Sequence, residues 1–113
     1  VVDFQDGVQA EVVTRLEFEW DVQKAKTNLS KHGIGFEQAM LVFDDPLALV
    51  RQDDDMRAIQ ERWITLGRAG PGRALVVIHT HIELTNDLTR IRIISARRAT
   101  RSEARQYEER AER

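Results

Sequence analysis

Apolar and polar positions alternate through Val13, Leu16, Phe18 and Trp20, with charges between the last three, and this predicts a strand over 11–20. The period then lengthens. Asp21 is a good N-cap, and 22–32 has the pattern of a helix closed by Gly33. Val22, Ala25 and Leu29 recur on one face of it, beside a polar face of Lys24, Thr27, Asn28 and Lys31. Gly35 opens a second, shorter helix in which Phe36, Ala39, Met40 and Phe43 stand at helical spacing as core positions, and Asp44-Asp45-Pro46 stops it.

The period of two then returns. A short apolar strand spans 47–51, and Asp53-Asp54-Asp55 marks a loop. A strand over 62–67 sets Trp63 and Thr65 opposite Ile64 and Leu66. Gly70-Pro71-Gly72 signals a hairpin. Residues 73–82 form the most β-branched run and fit a central strand; 83–88 is a turn, and 89–96 the last strand. Thr100-x-x-Glu103 matches a capping box, so a closing helix starts near Arg101. Residues 1–10 look like a loose lead-in. The expectation is one α+β domain over 1–113, in the order β-α-α-β-β-β-β-α: an antiparallel sheet with two N-terminal helices and one C-terminal helix.

Composition narrows the class. At 113 residues with 42% hydrophobic positions, the chain can bury a core. It has no cysteine, which removes disulfides, thiol nucleophiles and cysteine zinc sites and fits a cytoplasmic protein. No apolar run approaches the roughly 18 residues of a membrane span, and the opening segment has no basic region of a secretory signal.

Charge is unevenly spread. Residues 1–56 carry five basic against twelve acidic side chains, and 57–113 carry twelve arginines against seven acids, so the net −2 conceals two opposed halves. The arginines crowd around one apolar stretch: Arg90, Arg92, Arg97, Arg98, Arg101 and Arg105 surround Ile91, Ile93 and Ile94. Guanidinium offers phosphate oxygens a planar fork of donors, so this stretch is a candidate phosphate-gripping surface; a solvated strand and helix face is the plainer alternative.

Other chemistries lack their residues. His79-x-His81 points two imidazoles to one side of a strand, but no spacing supplies a third ligand. The triple aspartate lacks the glycine and terminal glutamate of a calcium loop, Gly70-Pro71-Gly72 lacks the Lys-Ser/Thr of a phosphate loop, and no Gly-x-Ser-x-Gly elbow occurs. No metal and no cofactor is expected.

Several motifs in order carry a resemblance. Phe18-Glu19-Trp20-Asp21 is followed by Asn28-Leu29-x-Lys31-His32-Gly33-Ile34-x-Phe36-Glu37-x-Ala39 and Val42-Phe43-Asp44-Asp45-Pro46. Glu61-Arg62-Trp63, Gly67-Arg68 and Leu75-Val76-Val77-Ile78-His79-Thr80 come next, then 90–100 with Glu103 and Tyr107. Over about 17–109 the chain resembles the BrnT-type toxins of type II toxin-antitoxin systems, leaving 1–16 as an N-terminal extension. The resemblance implies a RelE-like fold, metal-independent endoribonuclease activity that inhibits translation, and neutralisation by a BrnA-type ribbon-helix-helix antitoxin. It implies contact with operator DNA only through that antitoxin, and no membrane partner. The stretch 83–88 is longer than the turn expected of the family.

Metal-free RNA cleavage needs a base for the 2′-hydroxyl, positive charge for the phosphorane and an acid for the leaving oxygen. Glu61 or His32 is the candidate base, and His32 or Tyr107 the candidate acid. Arg62, Arg97 and Arg98 are candidates to hold the phosphate, with Lys31, Arg68 and Arg92 as further RNA contacts. Plain readings stand beside these: His32 next to Gly33 stabilises a helix terminus or bonds to Asn28, Tyr107 is a core tyrosine, and Trp20 and Trp63 are core residues rather than base-stacking platforms. Pairing of antiparallel strand ends is expected to bring Arg97, Arg62, Glu61 and His32 onto one face. A different class also fits: a catalytically inactive binding module that keeps antitoxin binding and operon autoregulation.

Overall fold

Val76 and Val77 are adjacent, point to opposite faces of one strand, and are both buried. That single fact organises the molecule: the central sheet is covered on both sides, which is why its middle strand is a continuous apolar run rather than an alternating one. The computed structural model describes residues 1–9, 15–54 and 60–111.

The chain forms β1 (Val8–Gln9), β2 (Leu16–Glu19), α1 (Val22–His32), α2 (Phe36–Met40) with a 3₁₀ turn (Leu41–Asp44), β3 (Leu49–Gln52), β4 (Trp63–Arg68), β5 (Ala74–Thr85), β6 (Leu88–Arg98) and α3 (Arg101–Ala111). The strands lie in the order β1-β3-β4-β5-β6-β2. It is a mixed α+β fold. The expectation of an antiparallel sheet holds for β1, β3, β4, β5 and β6, but β2 runs parallel to β6. The cause is the connection: β2 lies at one edge, and α1 and α2 carry the chain to β3 near the other.

One face of the sheet packs Leu75, Val77, Ile91, Ile93 and Ala96 against Ile34, Phe36, Ala39 and Val42. The opposite face packs Leu49, Ile64, Leu66 and Val76 against Tyr107 of α3 and Phe4. Phe4 is 1% exposed, so the first residues are not the loose lead-in the pattern suggested. Gln106 Oε1 accepts from the Phe4 N–H at 2.6 Å, Glu103 accepts from the Val2 N–H at 2.8 Å, and Arg51 bonds to the Asp3 carbonyl. One aromatic among irregularly spaced valines and polar residues carries no periodicity, so its burial had no signature.

The expected strand over 11–20 begins only at Leu16, and its residues 11–14 lie outside the described residues. The expected turn over 83–88 is instead mostly ladder. β5 runs to Thr85 and β6 starts at Leu88, leaving a two-residue connection in which the Thr85 hydroxyl donates to Asp87 at 2.8 Å.

The end signals of the helices act as read. Asp21 accepts from the Lys24 N–H at 2.9 Å, and Gly33 takes φ 70°, a left-handed conformation that side chains resist. Thr100 and Glu103 close the capping box in both directions, at 2.8 and 3.2 Å. The packing face of α1 is different from the expected one. Val22 and Leu29 are exposed, whereas Asn28 is buried.

Candidate functional site

The burial of Asn28 is explained by three hydrogen bonds. Its amide donates to Ala96 O at 2.8 Å and to Ile34 O at 2.9 Å, and its oxygen accepts from the Ala96 N–H at 3.0 Å. β2 pairs with β6 only as far as Arg92, so the Ala96 backbone has no strand neighbour on that side. Asn28 takes that neighbour's part and docks α1 onto the strand. The expected Asn28–His32 bond is therefore absent, because the amide is used elsewhere.

This clamp gathers charge at one corner. Lys31 and His32 are within one turn of Asn28, and Arg98 is two residues beyond Ala96. Arg98 pairs in register with Leu75, a residue of the helix-covered face, so it emerges on the side of α1. Lys31 and Arg98 are exposed, His32 is half-buried, and neither cation has an ion-pair partner among the described residues.

Three other arginines of the basic stretch are occupied, while Arg101 and Arg105 of α3 are exposed without an ion-pair partner among the described residues. The parallel register sets Glu17 beside Arg90 and Glu19 beside Arg92, with ion pairs at 3.0 and 3.6 Å. Part of the charge asymmetry between the chain's halves is thus internal pairing. Arg97 forks both oxygens of Glu103 at 2.7 and 2.9 Å, and Glu103 is wholly buried. Burial would raise the Glu103 carboxyl, but the Arg97 fork and the N–H groups of Thr100 and Val2 outweigh it and hold it at about 2. The same bond raises the Arg97 guanidinium above its ordinary value.

Tyr107 and Arg68 are also committed. The Tyr107 hydroxyl donates to Asp45 Oδ2 at 2.7 Å, and the Arg68 N–H donates to the same oxygen at 2.8 Å. Burial, reinforced by that bond, pushes Tyr107 up to about 12, which makes it a weak proton donor. The Arg68 guanidinium lies 5.5 Å from the Tyr107 ring and pairs with Glu108 at 2.8 Å. Gly67 permits this joint: a Cβ there would meet Val42 at 3.0 Å and Ala48 at 3.1 Å.

Glu61 and Arg62 precede β4, at the other end of it. Trp63 pairs with His79 and His79 with Ile93, whereas Arg97 lies in the row of Leu66 and Val76. The Arg62 row is thus four rungs and two strands away, roughly 16 Å by strand geometry. The expected convergence of Arg97, Arg62, Glu61 and His32 does not occur. Antiparallel pairing set the start of β4 beside the middle of β5, and so level with the middle of β6 rather than with its end. Arg62 stands in the row of Thr80 and Arg92 when the register is carried back past Trp63.

Buried histidine chemistry was missed by a sequence reading that tested the His79-x-His81 pair only for metal. His79 Nε2 is 2.7 Å from the Thr65 hydroxyl, and its ring meets Phe43 edge-on at 4.9 Å. Burial lowers it to about 4, against a smaller opposing effect of the Thr80 carbonyl, so it is neutral at pH 7. No three His, Asp or Glu side chains are gathered for a metal ion among the described residues.

Residues 20–103 match the family profile described as "Ribonuclease toxin, BrnT, of type II toxin-antitoxin system". The chain belongs to the BrnT family. Its fold is similar to the crystal structure of the Brucella abortus ribonuclease toxin BrnT, with a TM-score of 0.50 and 19% identity, over 78% of this chain and 99% of that one. No curated protein matches the chain. Membership brings a ribonuclease toxin of a type II toxin-antitoxin system, and with it a protein antitoxin as partner. The family match starts at Trp20, so the Phe4 segment and β2 precede it. No helix among the described residues is long and apolar enough to cross a membrane.

Proposed function

We propose that the chain is a metal-independent endoribonuclease that inhibits translation in the cytoplasm, with a RelE-like fold, and that a BrnA-type ribbon-helix-helix antitoxin neutralises it. The observation that carries this is the corner of Lys31, His32 and Arg98, where the two cations are exposed and unpaired among the described residues while Arg90, Arg92 and Arg97 of the same strand as Arg98 are paired with carboxylates. Cations left unpaired cost little in water and are available to phosphate oxygens.

In this reading Lys31 and Arg98 hold the scissile phosphate, and their charge stabilises the phosphorane as negative charge builds. His32 delivers a proton to the leaving 5′-oxygen or takes one from the 2′-hydroxyl. The 2′-hydroxyl requirement makes DNA inert. Arg62 follows the RNA backbone further along, and Arg92, already paired with Glu19, contributes less to it. Arg97, Arg68 and Tyr107 serve the framework, since their polar groups are already bonded within the protein.

The test is cleavage of single-stranded RNA by the purified chain with excess chelator. Cleavage that persists with chelator, spares DNA and is lost in Lys31→Ala and His32→Ala supports the reading. Folded protein that neither cuts RNA nor arrests growth would favour the inactive binding module.

A further inference from the structure

Trp63 is the large aromatic that packs with neither core cluster of the described residues. Trp20, by contrast, meets Phe36 edge-on inside the helix-covered core. Trp63 is half-buried, and its ring neighbour is His81, at a centroid distance of 4.9 Å and an angle of 40°. The two rings extend an aromatic tier that begins in the core. Phe18 meets Phe43, Phe43 meets His79, and His79 lies 6.3 Å from His81.

Polar groups stand at the edge of this shelf. Gln52 pairs in register with Trp63, so both project from the same face. Gln52 Nε2 donates to Glu61 Oε1 at 3.1 Å, which draws the Glu61 carboxylate to that face and leaves Oε2 available. Carrying the β4–β5 register back two residues past Trp63 sets Glu61 opposite His81.

We infer that Trp63 and His81 form a stacking platform for one RNA base, and that Glu61, steadied by Gln52, reads its edge. Unstacked RNA bases are recognised in this way, by an aromatic plane and by hydrogen bonds to the base edge. A carboxylate only accepts hydrogen bonds, so it selects an edge of donors. Guanine alone among the four bases presents two adjacent N–H groups, N1–H and the N2 amine, along its Watson–Crick edge. The ligand is therefore guanine in single-stranded RNA. This rests on the ribonuclease reading for its biology, and it makes Glu61 a specificity residue rather than a base catalyst.

The experiment uses the full chain and 2′-O-methyl RNA tetranucleotides, which lack the reacting hydroxyl and report binding without cleavage. Four oligonucleotides carry G, A, C or U at one position. The G oligonucleotide should bind about tenfold tighter than the others, and Trp63→Leu and Glu61→Gln should each remove that preference. Trp63→Phe keeps an aromatic plane and should retain most of it, which separates stacking from a fold defect; circular dichroism of every variant confirms folding. Equal binding of the four, preference for another base, or a guanine preference untouched by Trp63→Leu and Glu61→Gln overturns the inference. If the chain cuts no RNA yet keeps a Trp63-dependent guanine preference, the ribonuclease reading fails and the base site stands. If it cuts RNA with no base preference, only the base site fails.

Discussion

Asn28 takes both the N–H and the carbonyl of Ala96, at 3.0 and 2.8 Å, and so substitutes a side-chain amide for a strand neighbour. The same amide binds Ile34 O beyond the left-handed Gly33, so it fixes the end of α1 as well as its place on β6. Asn28→Asp keeps the size and loses both donations, leaving two buried carbonyls facing a carboxylate. The expected cost is about 2–4 kcal/mol for the unmet groups. Chemical denaturation measures it. RNA cleavage by the folded fraction should fall as well, because Lys31 and His32 are seated by this clamp. A fully stable Asn28→Asp would refute the clamp.

Arg97 was expected to touch RNA and is found gripping Glu103. Removing it leaves a fully buried carboxylate without its cation, which costs about 3 kcal/mol or more. Arg97→Ala should therefore lower the melting temperature markedly, and the Glu103 carboxyl should titrate well above its present value. Arg97→Lys restores charge without the fork and should recover only part of the loss. A variant of native stability that has lost only activity would return Arg97 to the catalytic set.

Two groups make stability depend on pH. Glu103 is held at about 2 in the folded chain against 4.5 for the free group, so its contribution is present above pH 4.5 and lost as pH falls toward 2. His79 is lowered to about 4 from 6.5. The unfolded chain binds that proton first, so stability falls as pH drops from 6.5 to 4, by about 3 kcal/mol at most. Denaturation midpoints should show both stages. His79→Gln should flatten the upper stage and leave the lower one. A slope unchanged between pH 6.5 and 4 in that variant would exclude His79 as its source.

The expectations that held drew on local chemistry. Asp21, Gly33 and the Thr100–Glu103 box act within four residues of themselves, so spacing alone reveals them. Those that failed depended on neighbours distant in sequence. Asn28 looked polar and exposed because its partner Ala96 is 68 residues away. Arg90 and Arg92 looked free because the parallel register with Glu17 and Glu19 cannot be read from either segment alone. The site suffered more than the fold for this reason. The elements follow from periodicity, whereas which arginine is spent internally follows from topology.

The Phe4 segment lies before the family match yet fills the face under α3. Phe4→Ala should cost about 3–5 kcal/mol, as for any wholly enclosed aromatic. Val8, also in the segment but 64% exposed, should tolerate alanine with little change. Equal tolerance at both positions, measured by thermal unfolding, would show the segment to be dispensable.

The contrast between Arg98 and Arg90 tests the site itself. Both belong to β6, but Arg90 donates to Glu17 at 3.0 and 3.1 Å while Arg98 has no ion-pair partner among the described residues. An arginine already paired gives phosphate less, because the carboxylate must be displaced or must oppose the approaching anion. For single-stranded RNA, each phosphate that the protein ceases to neutralise flattens the dependence of log affinity on log salt by about 0.7. Arg98→Ala should show that change with uncleavable RNA, and Arg90→Ala should show much less. In cleavage, losing a donor that stabilises the phosphorane typically costs about 10²–10³ in rate. Arg98→Ala should approach that loss in folded protein, with Arg90→Ala close to the parent. If the two substitutions weaken binding and cleavage equally, internal pairing does not decide which arginines meet RNA, and the corner of Lys31, His32 and Arg98 loses its claim to the reaction.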